Sequence, residues 1–226
     1  MVLAIEDFRR GEMRARDILI WAGVGAGAGA LFYFLTRRGA AAAPRRRFTL
    51  TLVEGWNYIS IPLFTSVKKA SDLLRVIEEA GGKAMMVARW DPDKQDWQSY
   101  AGSGEDFSIL PYDGILIGYV SKGCELEIEG EGVIKHTYTL PAAGAQTNVM
   151  FIGVPFITGL NASDIYNMLE NPAYVCKYTS GTGTSTCYPA DEDFPLKCGE
   201  AYFVGANNTK DISFTLSGEP CGTAVR

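Results

Sequence analysis

Residues 55–63, GWNYISIPL, open a unit whose order of signals returns at residues 148–156, NVMFIGVPF. Both stretches end at a proline after a run of apolar and small residues, which is typical of a strand followed by a turn. A short amphipathic helix is predicted next in each copy, from ASDLL at 70–74 and ASDIY at 162–166. Such an internal repeat predicts one fold used twice.

Four further pairs of segments follow in the same order in both copies. They are Arg89-Trp90 with Lys177-Tyr178, Glu105-Asp106-Phe107 with Glu192-Asp193-Phe194, 114–120 with 199–204, and 126–130 with 214–218. Each copy therefore predicts strand, helix, hairpin, strand, strand. The predicted fold class is α+β with strands dominant: two tandem homologous β-rich domains, each with one short helix, behind a single transmembrane helix.

The opening of the first copy resembles a repeat module of archaeal and bacterial surface proteins, including S-layer-like and other exported proteins. The resemblance rests on EGWNYISIPL, the ASDLL helix, a Trp-Asp…Trp…Tyr hairpin and the acidic-Phe turn. It covers 48–130 well and 137–218 weakly, because the second copy lacks Gly-Trp-Asn and both hairpin tryptophans. The resemblance implies a structural or adhesive unit and no enzymatic activity.

The transmembrane prediction comes from residues 18–36, ILIWAGVGAGAGALFYFLT, which carry no charge. A helix of this length rises about 28 Å, close to the hydrocarbon thickness of a bilayer. A cleaved signal peptide and a buried soluble helix are the alternatives. The predicted segments are a basic N-terminal segment at 1–16, a transmembrane helix at 17–36, an Arg/Ala linker at 37–47, repeat 1 at 48–132, and repeat 2 with a C-terminal tail at 133–226.

Charged and small residues extend the membrane hypothesis to partners. Basic membrane flanks are predicted at Arg9, Arg10, Arg14, Arg16, Arg37, Arg38, Arg45, Arg46 and Arg47. Helix packing inside the membrane is predicted at Gly23, Gly25, Gly27 and Gly29, where small residues recur every fourth position. The alternative is a span that is merely rich in small residues. The predicted partners are a lipid bilayer and other envelope or capsid subunits, in an oligomeric assembly.

Five cysteines predict where the chain resides. Cys176 and Cys187 flank a hairpin tip, in the places of Ala88 and Ser99 of the first copy, which suits a disulfide. A second bond is predicted between Cys198 and Cys221, leaving Cys124 either buried or free. Disulfides indicate an oxidising compartment or a hyperthermophilic host, and on the first reading the β-rich head is predicted on the outer side of a membrane. Unpaired buried thiols are the alternative.

No catalytic constellation is predicted, and neither a cofactor nor a metal. His136 is the only histidine and has no nucleophile beside it, while Asp91, Asp93 and Asp96 indicate an ordinary turn. The aromatic set Trp56, Trp90, Trp97 and Tyr100 could stack on sugars, although core packing explains the same pattern. A net charge of −5 disfavours nucleic acid as a partner of the head.

Three classes of function follow from these expectations. The first is a non-enzymatic, membrane-anchored structural protein that builds or decorates an envelope, on a cell surface or as a spike, penton-base or membrane–capsid linker of a membrane-containing virion. The second is an adhesive or receptor-like surface module that binds a glycan or a protein, for which an aromatic patch is the discriminating feature. The third is an accessory single-pass subunit of a membrane complex.

Overall fold

Strands dominate the part of the chain that the computed structural model describes, residues 44–142 and 147–225. The first half contains β1 (Arg45–Leu52), β2 (Gly55–Ile59), β3 (Leu63–Thr65), α1 (Ala70–Glu79), β4 (Met86–Asp91), β5 (Asp96–Tyr100), β6 (Ile115–Val120) and β7 (Cys124–Gly132). The second half contains β8 (Lys135–Leu140), β9 (Asn148–Gly153), β10 (Phe156–Ile157), α2 (Ala162–Met168), β11 (Pro172–Tyr178), β12 (Ser185–Tyr188), β13 (Ala201–Ala206) and β14 (Ile212–Ser217). A C-terminal tail adds β15 (Glu219–Pro220) and β16 (Thr223–Ala224).

The predicted fold class, α+β behind a transmembrane helix, is wrong. Strands hold 52% of the structure and helices only 10%. Each helix buries a narrow stripe, Ala70, Leu73 and Ile77 in α1 and Ala162 and Ile165 in α2, so the helices form no layer of their own. Within 44–142 and 147–225, neither helix is long and apolar enough to cross a bilayer. The segment 17–36 lies outside the described residues.

The two halves have the same strand order. A four-stranded antiparallel sheet in the first half runs β2, β6, β4, β5, and its counterpart in the second half runs β9, β13, β11, β12. The remaining long strands also correspond, because β1 pairs with β7 and β8 pairs with β14. The repeat thus begins with β1 at Arg45, inside the segment 37–47 that the sequence predicts as a linker.

Acidic side chains fix the start of each helix. In α1, Asp72 accepts the backbone N–H of Lys69 at 3.1 Å, and Ser71 donates from its N–H and its hydroxyl to Asp106, at 2.9 and 2.7 Å. The corresponding contacts in α2 involve Asn161, Ser163, Asp164 and Asp193. Unpaired N–H groups at a helix start need such acceptors. The acidic-Phe turns therefore anchor the helices, a role that the sequence analysis missed.

Each half has its own hydrophobic core on one face of its four-stranded sheet. The core of the first half includes Ile59, Ile61, Leu73, Ile77, Ile115 and Ile117, and that of the second includes Ile152, Phe156, Ile165, Tyr202, Val204 and Leu216. Leu116 lies between two core residues of β6 and therefore points to the opposite face. There it joins Ala88, Phe151 and Ala201 in a third cluster, which contains residues of both halves.

The C-terminal tail connects the second half back to the first. β15 pairs with β10 of the second half, and β16 then pairs with β1 of the first, with Arg46 opposite Ala224. The Arg46 guanidinium donates to the carbonyl of Cys221 at 2.8 Å, and Cys221 is disulfide-bonded to Cys198. Residues from 44 onward accordingly form one compact unit.

Candidate binding cleft

The halves contact each other through backbone hydrogen bonds that are made twice. The N–H of Ser60 donates to the carbonyl of Gly199, and the N–H of Gly153 donates to the carbonyl of Tyr112, both at 2.8 Å. Ser60 and Gly153 are counterparts in the duplicated sequence, two residues before the proline of each stretch. The strand registers make Gly199 the counterpart of Tyr112. The halves are therefore related by an approximate twofold axis.

The β4–β5 hairpin covers the free edge of β9. The Gln95 side chain accepts from the N–H of Val149 at 2.8 Å and donates to its carbonyl at 2.9 Å. The Trp90 indole donates to the same carbonyl at 2.7 Å. An uncovered edge strand invites pairing with another chain, and these side chains occupy the backbone groups of β9 at that point.

The β11–β12 hairpin covers the edge of β2 in the reciprocal place. The N–H of Gly181 donates to the carbonyl of Trp56 at 2.7 Å, and the Ser180 hydroxyl accepts from the N–H of Tyr58 at 3.3 Å. Trp56 is the counterpart of Val149, so each hairpin tip grips the same position of the other half. These reciprocal hydrogen bonds fix the β4–β5 and β11–β12 hairpins in place and keep the surfaces of the two hairpins apart.

Both predicted cysteine pairs are disulfide-bonded in the structure. The Cys176–Cys187 bond joins directly opposite residues of β11 and β12, and the Cys198–Cys221 bond ties down the tail. Cys124 is free and half-buried, and burial raises the pKa of its thiol. The two bonds indicate an oxidising environment for this part of the protein.

An open cleft of about 890 Å³ lies between the two hairpins. It is lined by Tyr58, Trp90, Trp97, Leu116, Val149, Ala173, Tyr174, Cys176, Tyr178, Cys187, Tyr188, Pro189, Ala190 and Phe203. Half of these residues are aromatic and none carries a charge. A volume of this size and an apolar lining with few polar groups are typical of small-ligand sites.

Aromatic rings from both halves meet in the cleft. Trp97 of β5 is 36% exposed, and its ring lies edge-on to Phe203 of β13, with 5.9 Å between centroids. Tyr58 of β2 stacks on Tyr178 of β11 at 4.9 Å. Edge-to-face and stacked pairs at these distances are favourable, so the lining is a set of well-packed rings. The cleft belongs to neither half alone.

Phenol groups supply the polar chemistry of the cleft. In the described chain, the hydroxyls of Tyr58, Tyr174 and Tyr178 have no hydrogen-bond partner, so each is available to donate and accept. Burial raises the pKa of Tyr58 and of Tyr174, and the nearby Tyr178 raises both further. All three tyrosines line the cleft, so their phenol groups belong to one surface.

The aromatic set of the sequence analysis is divided by the fold. Trp90 and Trp97 line the cleft, with ring centroids 5.4 Å apart. Trp56 lies outside the lining and packs on Tyr119 at 4.6 Å, while Tyr100 packs against the core of the first half. The sequence analysis missed Tyr174, Tyr188 and Phe203, whose signal was the recurrence of aromatic residues in β11, β12 and β13.

His136 and Asp91, which were considered above as catalytic candidates, make contacts that stabilise the fold. His136 stacks on Tyr112 with centroids 3.6 Å apart, and burial lowers the pKa of its imidazole. Asp91 closes its turn by accepting the N–H groups of Asp93 and Lys94. Across 44–142 and 147–225, no three histidine, cysteine or acidic side chains are grouped to hold a metal ion.

The arginines predicted as membrane flanks fall into two groups. Arg45, Arg46 and Arg47 lie in β1, where Arg47 donates to Glu129 at 2.6 Å and Arg46 donates to the tail at Cys221. These three arginines thus take part in the β body. The other predicted membrane residues, Arg9, Arg10, Arg14, Arg16, Arg37, Arg38, Gly23, Gly25, Gly27 and Gly29, lie outside the described residues.

Comparison with known proteins gives no relative from which a role could be transferred. The resemblance to a surface-protein repeat module therefore stays a prediction from the sequence of 48–130 and 137–218. No protein-family model, no curated protein and no solved structure matches this chain.

Proposed function

We propose that this chain is a non-enzymatic structural protein of an exported surface assembly, a cell envelope or a virion shell, and that it acts through contacts among many copies. The observation that carries the proposal is the pair of disulfides in the second half and its tail, because each holds an element that contacts the first half. One disulfide braces the hairpin that grips β2, and the other ties the tail that pairs with β1. A body fixed in this way is suited to holding its shape outside the reducing cytosol.

Two exposed apolar side chains offer a surface for such contacts. Ile134 is 64% exposed and Ile157 is 57% exposed. Both lie beside Gly218, whose N–H donates to the carbonyl of Ile134 and whose Cα faces the carbonyl of Ile157. Apolar side chains left in water on adjoining segments of backbone favour contact with another subunit. The proposed partners are further copies of this chain and other envelope or capsid subunits.

The oligomeric state of the full chain under oxidising conditions tests this proposal. We expect mass photometry to show multimers that the double variant I134E/I157E weakens. The matched control is Lys135→Glu, which places an acidic group on an exposed position of β8 without removing apolar surface. A chain that stays monomeric at tens of micromolar, or a double variant that assembles like the control, contradicts the proposal.

A second candidate function is adhesion through the cleft, and the aromatic lining favours it. Packed rings with unpaired phenol hydroxyls are a surface that can bind a ligand without any catalytic group. Arrays of glycans and of peptides, probed with the full chain, test this candidate. Reproducible binding on either array supports it, and the absence of binding on both contradicts it.

A further inference from the structure

We propose that the cleft binds an uncharged carbohydrate chain, whose sugar rings stack on Trp97 and Phe203 and whose hydroxyls bond to Tyr174 and Tyr178. The inference rests on the second candidate function, adhesion through the cleft, and names its ligand class. It combines three observations: an aromatic lining from both halves, unpaired phenol groups, and no charged side chain among the lining residues.

The absence of charged side chains from the lining of the cleft determines which net charge a ligand can carry there. A buried or partly buried ion needs an opposite charge or several strong hydrogen bonds, and the lining of the cleft offers no charged partner. Acidic polysaccharides, phosphorylated ligands and charged peptides would lose hydration there without compensation. The complementary ligand is therefore neutral.

The aromatic walls select a ligand with flat apolar faces. Trp97 is exposed enough to receive a ligand on its ring, and Phe203, which is in edge-on contact with Trp97, also lines the cleft. A pyranose ring presents C–H groups on its two faces and hydroxyls around its rim. Indole and phenyl faces carry partial negative charge and attract such C–H groups, so both walls match the faces of a sugar.

The phenol groups match the rim of the sugar. A sugar hydroxyl both donates and accepts, and a tyrosine hydroxyl does the same. Those of Tyr174 and Tyr178 have no hydrogen-bond partner in the described chain, and the two residues lie on the same face of β11, where both line the cleft. A neutral oligosaccharide satisfies these groups, whereas a purely apolar ligand would leave them unpaired.

The sheet edges beside the cleft favour a sugar over an extended peptide. A peptide that adds a strand needs free backbone groups at a sheet edge. At β9 those of Val149 are taken by the first hairpin, and at β2 that of Trp56 is taken by the second. Recognition at this point of the cleft thus depends on side chains, which is the mode that stacking on a sugar uses.

Titration of the full chain with neutral trisaccharides tests the inference, with isothermal titration calorimetry giving the affinity of every variant and tryptophan fluorescence reporting on the wild type. The probes are maltotriose, cellotriose and chitotriose, and a proline-rich decapeptide and a sulfated trisaccharide are the comparison ligands. We expect at least one neutral trisaccharide to bind and to change the fluorescence of Trp97. Trp97→Ala should weaken that binding about tenfold or more, since it removes one stacking wall.

A second variant keeps the stacking rings and removes only hydroxyls. Y174F/Y178F should weaken trisaccharide binding several-fold, and circular dichroism should show an unchanged fold. The matched control is Tyr119→Ala, which removes a 55% exposed aromatic ring outside the cleft and should leave the affinity unchanged. Equal affinity in Trp97→Ala and the wild type overturns the inference.

The comparison ligands separate this inference from the adhesive function on which it rests. Binding of the proline-rich peptide alone, lost in Trp97→Ala, overturns the carbohydrate class and keeps adhesion through the cleft. Tighter binding of the sulfated trisaccharide than of its neutral counterpart overturns the argument from charge. No binding of any of these probes at millimolar concentration overturns the inference, and glycan and peptide arrays that also stay blank overturn adhesion itself.

Discussion

Asp113 of the first half lies opposite Ile152 of the second, and Glu200, which the strand registers place at the equivalent position, lies opposite Ile59. One contact is therefore made twice with the halves exchanged. The two carboxylates differ in their surroundings. Glu200 accepts a hydrogen bond from the hydroxyl of Tyr202 at 2.7 Å, whereas Asp113 is largely buried. Burial raises the pKa of Asp113 to about 6, so the twofold-related positions are chemically unequal.

Asp113 makes the stability of the protein depend on pH. Its carboxyl has a pKa of about 3.9 in an unfolded chain and holds its proton more tightly when folded. The contribution of Asp113 to the free energy of unfolding should therefore be highest below about pH 4, fall as the pH rises to about 6, and then level off. Asp113→Asn should remove this fall and stabilise the protein at pH 7.5 by about 2–3 kcal/mol. Urea unfolding between pH 4 and 8 measures the effect.

The asparagine keeps an acceptor for the N–H of Leu110, which Asp113 binds at 2.9 Å. Glu219→Gln, at an exposed position of the tail, is the control for the loss of one negative charge. A variant that follows the wild-type pH profile in parallel would assign the dependence to another group.

The Cys176–Cys187 bond closes only a short loop, yet we expect its removal to affect the cleft as well as the stability of the protein. The variant C176A/C187S installs the Ala88 and Ser99 of the first half at the equivalent sites. We expect it to lower the free energy of unfolding by on the order of 3 kcal/mol, since a loop of this size is released in the unfolded chain. Amide exchange should also quicken at Gly181 and Tyr58, because the loosened hairpin releases the edge of β2. Unchanged exchange there would show that the aromatic packing alone holds the hairpin.

We expect the hydrogen bonds of the Gln95 side chain to stabilise the contact between the halves. Gln95→Ala removes two bonds to the backbone of Val149 and is expected to destabilise the protein by about 1–3 kcal/mol. The backbone of Gln95 has φ +52°, which glycine adopts without strain. Gln95→Gly should accordingly be less harmful than Gln95→Ala by about 1 kcal/mol. The reverse order in chemical denaturation would mean that the strain is relieved by other means.

Gly153 leaves room for the opposite half. A methyl group there would stand 2.5 Å from the carbonyl oxygen of Asp113 and would collide with the Cβ of Ser60. Gly153→Ala should destabilise the protein by about 2 kcal/mol or more, as overpacked sites do. Ser60→Gly should restore part of the loss, because the Ser60 hydroxyl is buried and has no hydrogen-bond partner in the described chain. A double variant no better than Gly153→Ala would place the conflict at Asp113 alone; thermal unfolding of the three variants decides.

Much of the local structure follows from the duplicated sequence. The hairpins and the helix starts could be predicted because each signal occurs twice. The Cys176–Cys187 bond could be predicted because the two cysteines take the places of Ala88 and Ser99, which face each other across the first hairpin. The cross-strand pair Trp90 and Trp97 is also where the alternation places it. Local propensities decide such features within about ten residues of chain.

The cleft could not be predicted in the same way. Alternation shows that Leu116 and Phe203 each face away from a core, but it does not show that the two faces meet. The same limit applies to Asp106 and Asp193, because the serines that they bind lie 35 and 30 residues away along the chain. The α+β assignment was wrong because the two helices are short, cover only part of the strands and form no layer of their own.

The pairing of β16 with β1 brings the two ends of the described body next to each other. The N–H of Val225 donates to the carbonyl of Arg45 at 2.8 Å, so the last strand ends where the first begins. The order of elements along the chain is therefore not tied to the shape that they build. A circularly permuted gene that joins residue 225 to residue 45 and opens at the exposed Gly102 would preserve every strand pair, and any module fused at either natural end of this body would leave it from the same side.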